Sequence, residues 1–315
     1  MTIALAIHGG CGTLPKSEMT EAEWAGARAD LAASLRAGWA ILAKGGAAVD
    51  AVEAAVRVME DSAHFNAGHG AAFNAEGEHE LDASIMDGAT LAAGALAGVK
   101  RIRNPVSAAK ALMLRGDPLL LAGPAGDTFA AHEGLDIVEN SYFSTERRRA
   151  NLSAMKIREL VGTASQASEA EKHGTVGAVA LDAQGHLAAA TSTGGYTNKP
   201  VGRVGDSPII GAGTYARDGR CAVSGTGKGE YFIRYCVGHE LASLIAYKGL
   251  ALAEASCTVL GELTAHKIGA GLVAIDADGT IVAPYNTDGM YRGWVTPDGL
   301  IHVATHGEIE IAGQA

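Results

Sequence analysis

The segment KHGTVGAVALD, residues 172–182, sets a threonine directly after a glycine at the mouth of an apolar run. From Val176 onward small apolar residues follow without a break, the pattern of a buried strand. Upstream, Gly162 to Lys172 reads GTASQASEAEK, with no periodicity and no large apolar residue, which reads as an exposed loop. The dipeptide itself carries no information, because Gly-Thr occurs six times in the chain. Position singles out Thr175: it stands where a polar loop meets a rigid strand.

Working outward, GAVALDAQGHLAAATST (177–193) and GLVAIDADGTIVAPYNT (271–287) agree at eight of seventeen positions, each with a glycine between two apolar arms. Both read as long hairpins. MTIALAIHGG (1–10) reads as a buried first strand, with no basic region of a signal peptide. TEAE (20–23) fits a capping box opening a helix to about Lys44, and a second helix follows over 47–59. Two short strands are expected around Asp87-Gly88, and Asn104-Pro105 marks another helix start. Further helix is expected over 118–132, 146–161, 230–247 and 251–266. Strands come as hairpins and helices in pairs, without βαβ alternation, which favours an α+β fold of antiparallel sheets with helical layers.

Composition narrows the class. Hydrophobic residues make up 48% of the 315 and charged residues 19%, enough for a sizeable core. A formal charge of −10 argues against nucleic acid, and the run Arg147 to Arg149 reads as a solvated face. Four scattered cysteines without CxxC spacing point away from a disulfide framework or zinc knuckle, making a reducing cytoplasm the default. No apolar run reaches the ~20 residues of a membrane span.

A threonine hydroxyl needs a base to become a nucleophile. No GxSxG elbow is present, and HELAS (239–243) lacks the second histidine of HExxH. A threonine at a chain start carries its own base, an α-amino group of pKa near ~8. For Thr175 that requires cleavage of the Gly174–Thr175 bond. HGTVGAVALD, TSTGGYTNKPVGRVGDSP, GTGKGE, HGGCG and FNAG together resemble the plant-type L-asparaginase/isoaspartyl peptidase family of N-terminal-nucleophile hydrolases, from the first strand to about Trp294. The resemblance implies a four-layer αββα sandwich over a single domain, 1–315. It implies self-cleavage into 1–174, ending in a linker over about 162–174, and 175–315. It also implies hydrolysis of L-asparagine and β-aspartyl (isoaspartyl) peptides, and a pair of αβ units.

Carried over by position, Thr175 is the nucleophile, Thr193 orients it, and Thr226 with the Gly227 N–H forms the oxyanion hole. Arg203 takes the substrate α-carboxylate and Asp206 its α-ammonium, with Gly229 lining the pocket and Asn66 holding the region of the nucleophile. No cofactor is required for the chemistry. A structural sodium ion would sit on backbone carbonyls of Met59, Glu60, Ser62, Phe65, Ala67 and His69. Lys228 departs from the family, which more often has threonine there. His69 and the SAH of 62–64 depart within the sodium loop. The rivals are an uncleaved, inert relative with Lys228 across the pocket, and a glycosylasparaginase. A P-loop is excluded, since Gly229 follows Lys228 and no glycine stands at 222.

Overall fold

The computed structural model describes residues 2–12, 20–163 and 174–315, so most of the expected linker, 164–173, lies outside the described residues. The strands are β1 (Ala4–Gly10), β2 (Leu81–Asp87), β3 (Ala93–Val99), β4 (Leu120–Ala122), β5 (Val176–Leu181), β6 (Leu187–Thr193), β7 (Thr214–Arg217), β8 (Cys221–Gly227), β9 (Ala270–Asp276), β10 (Ile281–Val282), β11 (Tyr291–Val295), β12 (Leu300–Ala304) and β13 (Ile309–Gln314). The helices are α1 (Glu21–Leu42), α2 (Ala48–Glu60), α3 (Pro105–Arg115), α4 (Pro124–His132), α5 (Glu146–Leu160), α6 (Gly229–Tyr235), α7 (Val237–Lys248) and α8 (Leu252–Ala265).

Two sheets organise these strands. One has nine, in the order β13-β12-β11-β1-β5-β6-β2-β3-β4, and the other four, β10-β9-β8-β7. Neighbours run antiparallel except β3 and β4, which are parallel. Helices α1, α2 and α3 pack on the nine-stranded sheet, α7 and α8 on the four-stranded one, and β1, β5 and β6 meet β8 and β9. The chain is therefore α+β. Both faces of β1, β5 and β6 are covered, which is why these strands are unbroken apolar runs rather than alternating ones.

Local chemistry explains most boundaries. Thr20 caps α1: its hydroxyl accepts the Glu23 N–H while the Glu23 carboxylate accepts the Thr20 N–H, the capping box. The hairpin of 177–193 is present as β5–β6, in register from Val176↔Ser192 to Leu181↔Leu187. The second hairpin forms too, as β9–β10, but its return arm is only Ile281–Val282 and it lies in the other sheet.

Three expectations are corrected. Residues 120–122 form a strand rather than helix, pairing with β3 before α4 begins at Pro124. The helix expected over 230–247 is broken at Cys236, whose left-handed backbone (φ 47°) separates α6 from α7. Arg147–Arg149 is only in part a solvated face: Arg149 is exposed, but Arg148 is buried and donates to the Gly70 carbonyl at 2.5 Å, and Arg147 donates to the carbonyls of Ala63 and His64. These guanidiniums satisfy loop carbonyls that no secondary structure pairs.

The two sheets are in close contact at Gly177 of β5. A Cβ there would stand 1.9 Å from Ser224 Oγ and 2.6 Å from His8 Nε2. Gly177→Ala should therefore lower stability by about 1–3 kcal/mol, read as a reduced urea midpoint. An unchanged midpoint would show that the sheets are not in tight contact at this point.

Candidate active site

Thr175 opens β5, and β5 is held by β1 on one side and β6 on the other. The residue is 6% exposed. Its hydroxyl lies 2.7 Å from the Gly174 carbonyl oxygen and 3.3 Å from Thr193 Oγ1. Two further groups reach the same carbonyl oxygen: Thr193 Oγ1 donates at 3.0 Å and Asn66 Nδ2 at 3.0 Å. Each donor is itself fixed. Asn66 also donates to Gly195 O at 2.6 Å and accepts the Ala72 N–H at 2.6 Å, while Thr193 Oγ1 accepts the Gly195 N–H at 3.0 Å. The bond between Gly174 and Thr175 is thus polarised by preset donors, with a hydroxyl beside it.

Gly10 explains why HGGCG needs glycine. Its φ of 105° disfavours any side chain, and a Cβ would stand 3.1 Å from both Gly174 Cα and Thr175 N. The backbone of β1 can therefore lie directly against the threonine. Gly174, Thr175 and Thr193 share a small pocket with Gly195, Arg203, Gly205, Asp206, Ser207 and Gly227.

The two charged residues expected to bind a zwitterion stand in this pocket with different preparation. Arg203 is held from behind: Glu230 Oε1 accepts from its Nε and lies 3.0 Å from its Nη2, and the guanidinium stacks 4.7 Å from the Tyr196 ring centroid. Asp206 is 5% exposed, and its Oδ2 has no hydrogen-bond partner among the described residues. Burial pushes its carboxyl up to about 7, against the pull of Arg203. Gly229 lines the site by absence, since a Cβ there would stand 2.7 Å from Asp206 Oδ1 and 3.0 Å from Arg203 Nη2.

Thr226 is placed differently. It is buried at the end of β8, and its hydroxyl accepts the Cys11 N–H at 3.3 Å, while the adjacent Gly227 lines the pocket. Lys228 is exposed, with Nζ 5.6 Å from the Tyr231 ring centroid, and is not among the pocket-lining residues. Glu230 and Tyr196 escaped the sequence reading. Their only signal was position, inside the GTGKGE and TSTGGYTNK stretches.

The loop of 59–70 carries the expected sodium positions. A Cβ on Gly68 would stand 2.3 Å from Glu60 O, and one on Gly70 2.7 Å from Phe65 O. Glu60 O accepts the His69 N–H at 2.7 Å and Met59 O the Ser62 N–H at 3.3 Å. Carbonyl oxygens crowd this turn, and a hard cation takes such ligands. The loop departs from a pure carbonyl cradle at SAH: Ser62 Oγ donates to Asp30 at 2.6 Å, and His64 Nδ1 meets the same carboxylate at 2.8 Å. The Glu60 side chain is buried beneath it, its carboxyl pushed up to about 8 by burial while accepting from Ser192 and Val106.

Comparison with known proteins adds an independent finding. A family model described as "Asparaginase" matches residues 1–305. An isoaspartyl peptidase of Escherichia coli (strain K12) is 45% identical over 294 residues, covering 92% of each chain. A probable isoaspartyl peptidase/L-asparaginase 2 of Arabidopsis thaliana is 37% identical over 328 residues, covering 96% of this chain and 98% of its own. A mouse isoaspartyl peptidase/L-asparaginase is 39% identical over 291 residues, covering 92% and 87%.

Asp206 makes a pH prediction. Its folded pKa is raised, so the folded chain keeps a proton that the unfolded chain releases above about 3.8. Its stability contribution is full below that pH and is lost as pH rises towards about 7. On a Thr175→Ala background, Asp206→Asn should leave the unfolding midpoint unchanged near pH 3.5. It should raise the midpoint at pH 8, by on the order of 1–4 kcal/mol. A gain of equal size at both pH values would contradict the assigned burial.

Proposed function

The chain belongs to the asparaginase family, and we propose that it is a self-activating threonine amidohydrolase that converts L-asparagine to L-aspartate and ammonia and cleaves β-aspartyl dipeptides. The observation that carries this reading is the Gly174 carbonyl, which accepts from Asn66 and Thr193 with the Thr175 hydroxyl 2.7 Å from its oxygen.

In maturation the Thr175 oxygen attacks the Gly174 carbonyl carbon. Negative charge moves onto the carbonyl oxygen, where Asn66 Nδ2 and Thr193 Oγ1 already point. The C–N bond breaks, its nitrogen takes up the proton that the Thr175 hydroxyl gives up, and an ester joins Gly174 to the Thr175 oxygen. Water then hydrolyses the ester, releasing the Gly174 carboxylate and leaving Thr175 with a free amine and hydroxyl. The two fragments stay together through the sheet: β1 belongs to the first and pairs with β5 and β11 of the second, and β2 pairs with β6.

In turnover the Thr175 amine takes the hydroxyl proton as the oxygen attacks the side-chain amide of asparagine. Thr226 and the Gly227 N–H serve the oxyanion, ammonia leaves, and water releases aspartate from the acyl-enzyme. Arg203, preset by Glu230, grips the α-carboxylate, and ionised Asp206 pairs the α-ammonium. For a β-aspartyl dipeptide the leaving group is the second amino acid. Lys228 lies over Tyr231 rather than in the pocket wall, which weighs against an inert relative blocked at that position.

The packing of helices on both sheets supports a four-layer αββα sandwich, and a pair of αβ units is the assembly this reading takes. A sodium ion on the carbonyls of Met59, Glu60, Ser62, Phe65, Ala67 and His69 would supply a fixed charge that keeps the loop of Asn66 in shape. Asn66 and Thr193 carry out their steps with their own hydrogen bonds.

Asn66→Ala removes one preset donor to the Gly174 oxygen and should slow self-cleavage by roughly 10²–10³-fold, followed as the loss of intact chain over time. Arg203→Ala should leave cleavage within a few-fold of the parent while raising KM for asparagine at least about tenfold. The reverse pattern, with Asn66→Ala cutting normally and Arg203→Ala failing to cut, would overturn the assignment.

A further inference from the structure

Ser207 follows Asp206 in the pocket wall and is 1% exposed. Its hydroxyl has no hydrogen-bond partner among the described residues, and neither has the neighbouring Asp206 Oδ2. Buried hydroxyls are ordinarily satisfied. Two unpartnered oxygens on consecutive residues that line one small pocket call for a ligand with several diverging donors. An α-ammonium has three N–H bonds in tetrahedral array, and Asp206 Oδ2 accepts only one of them along its own direction.

We propose that Ser207 is a substrate-binding residue whose hydroxyl oxygen accepts a second N–H of the α-ammonium, making the pocket selective for α-amino acid amides over the same amides without the amine. This rests on the amidohydrolase reading above and deepens it.

The position is built from behind. The Ser207 carbonyl accepts the Ser84 hydroxyl at 2.6 Å, and Ser84 Oγ lies 2.8 Å from Thr214 Oγ1. Thr214 reaches Thr191 at 2.5 Å, Thr191 meets Ser224 at 2.7 Å, and Ser224 meets His8 Nε2 at 2.9 Å. All five, and His8, are fully buried. The His8 ring lies beside the Thr175 backbone, and burial holds its pKa down to about 3, so it stays neutral. An uncharged chain of hydroxyls therefore crosses between the sheets from the strand beside the nucleophile to the strand under Ser207. It sets the separation between the attacking oxygen and the ammonium end of the pocket, a length that a substrate must match.

The experiment compares the mature parent with Ser207→Ala and Ser84→Ala, using asparagine turnover and competitive inhibition by L-aspartate and by succinate, which lacks the amine. Ser207→Ala should raise KM for asparagine roughly tenfold to a hundredfold with kcat within about twofold. It should weaken L-aspartate by a similar factor and leave succinate unchanged. Ser84→Ala, which keeps the Ser207 hydroxyl but frees its backbone, should raise KM by less. Self-cleavage, which involves no ammonium, should proceed normally in both and reports that each variant folds. Equal weakening of aspartate and succinate, an unchanged KM, or a loss confined to kcat would overturn the assignment to Ser207. A parent that cuts itself but leaves asparagine intact would instead overturn the amidohydrolase reading, and aspartate against succinate binding would then judge Ser207 separately.

Discussion

Everything at this site depends on one carbonyl oxygen. Gly174 O accepts from an amide and a hydroxyl that are each anchored by other bonds, so neither has to reorganise when charge arrives. The anchoring reaches far: Asn66 is carried on a loop whose carbonyls are held by Arg147 and Arg148, and Thr193 closes the β5–β6 hairpin. The same strand order that presses Gly10 against Thr175 also interleaves the two prospective fragments in one sheet. If a chain arranged in this way were cut between Gly174 and Thr175, the pairing of β1 with β5 and β11 and of β2 with β6 would still hold the pieces together.

The pocket prepares its two charged residues in opposite ways, one left with an unpartnered oxygen and the other paired from behind. Asp206 is buried enough to hold its proton up to about pH 7 and has an oxygen without a partner, while Arg203 is locked by Glu230. In the proposed complex a substrate ammonium would supply the missing charge to Asp206, and a carboxylate would be the ligand of Arg203. On that reading the cost of burying an ionised Asp206 is offset only in the complex, whereas Arg203 already has Glu230, so an amide lacking the ammonium would bind less well.

Much of the fold could be read from the residues because local chemistry decides it. The capping box at Thr20, the glycine stops and the unbroken apolar runs of β5 and β6 are all written within a few positions of where they act. Cys236 could not be read this way, because its left-handed backbone interrupts a stretch whose apolar spacing continues through it. Residues 120–122 are a strand only because β3 stands beside them, a long-range fact. Arg148 looked like a surface charge because its partner, the Gly70 carbonyl, has no signature in the sequence. Thr175, Thr193, Arg203 and Asp206, which the structure brings into one pocket, stand out in the sequence through their motifs. The contact of Glu230 with Arg203 and the hydroxyl chain from Ser207 to His8 do not, since they arise where separate strands and loops meet.

The most direct measurement is the intact mass of freshly expressed protein under denaturing conditions, beside Thr175→Ala. The account predicts two fragments meeting at Gly174/Thr175 in the parent and one full-length species in the variant. A parent that stays whole on long incubation would mean that the polarised carbonyl is not attacked, and the self-activating threonine would have to be given up.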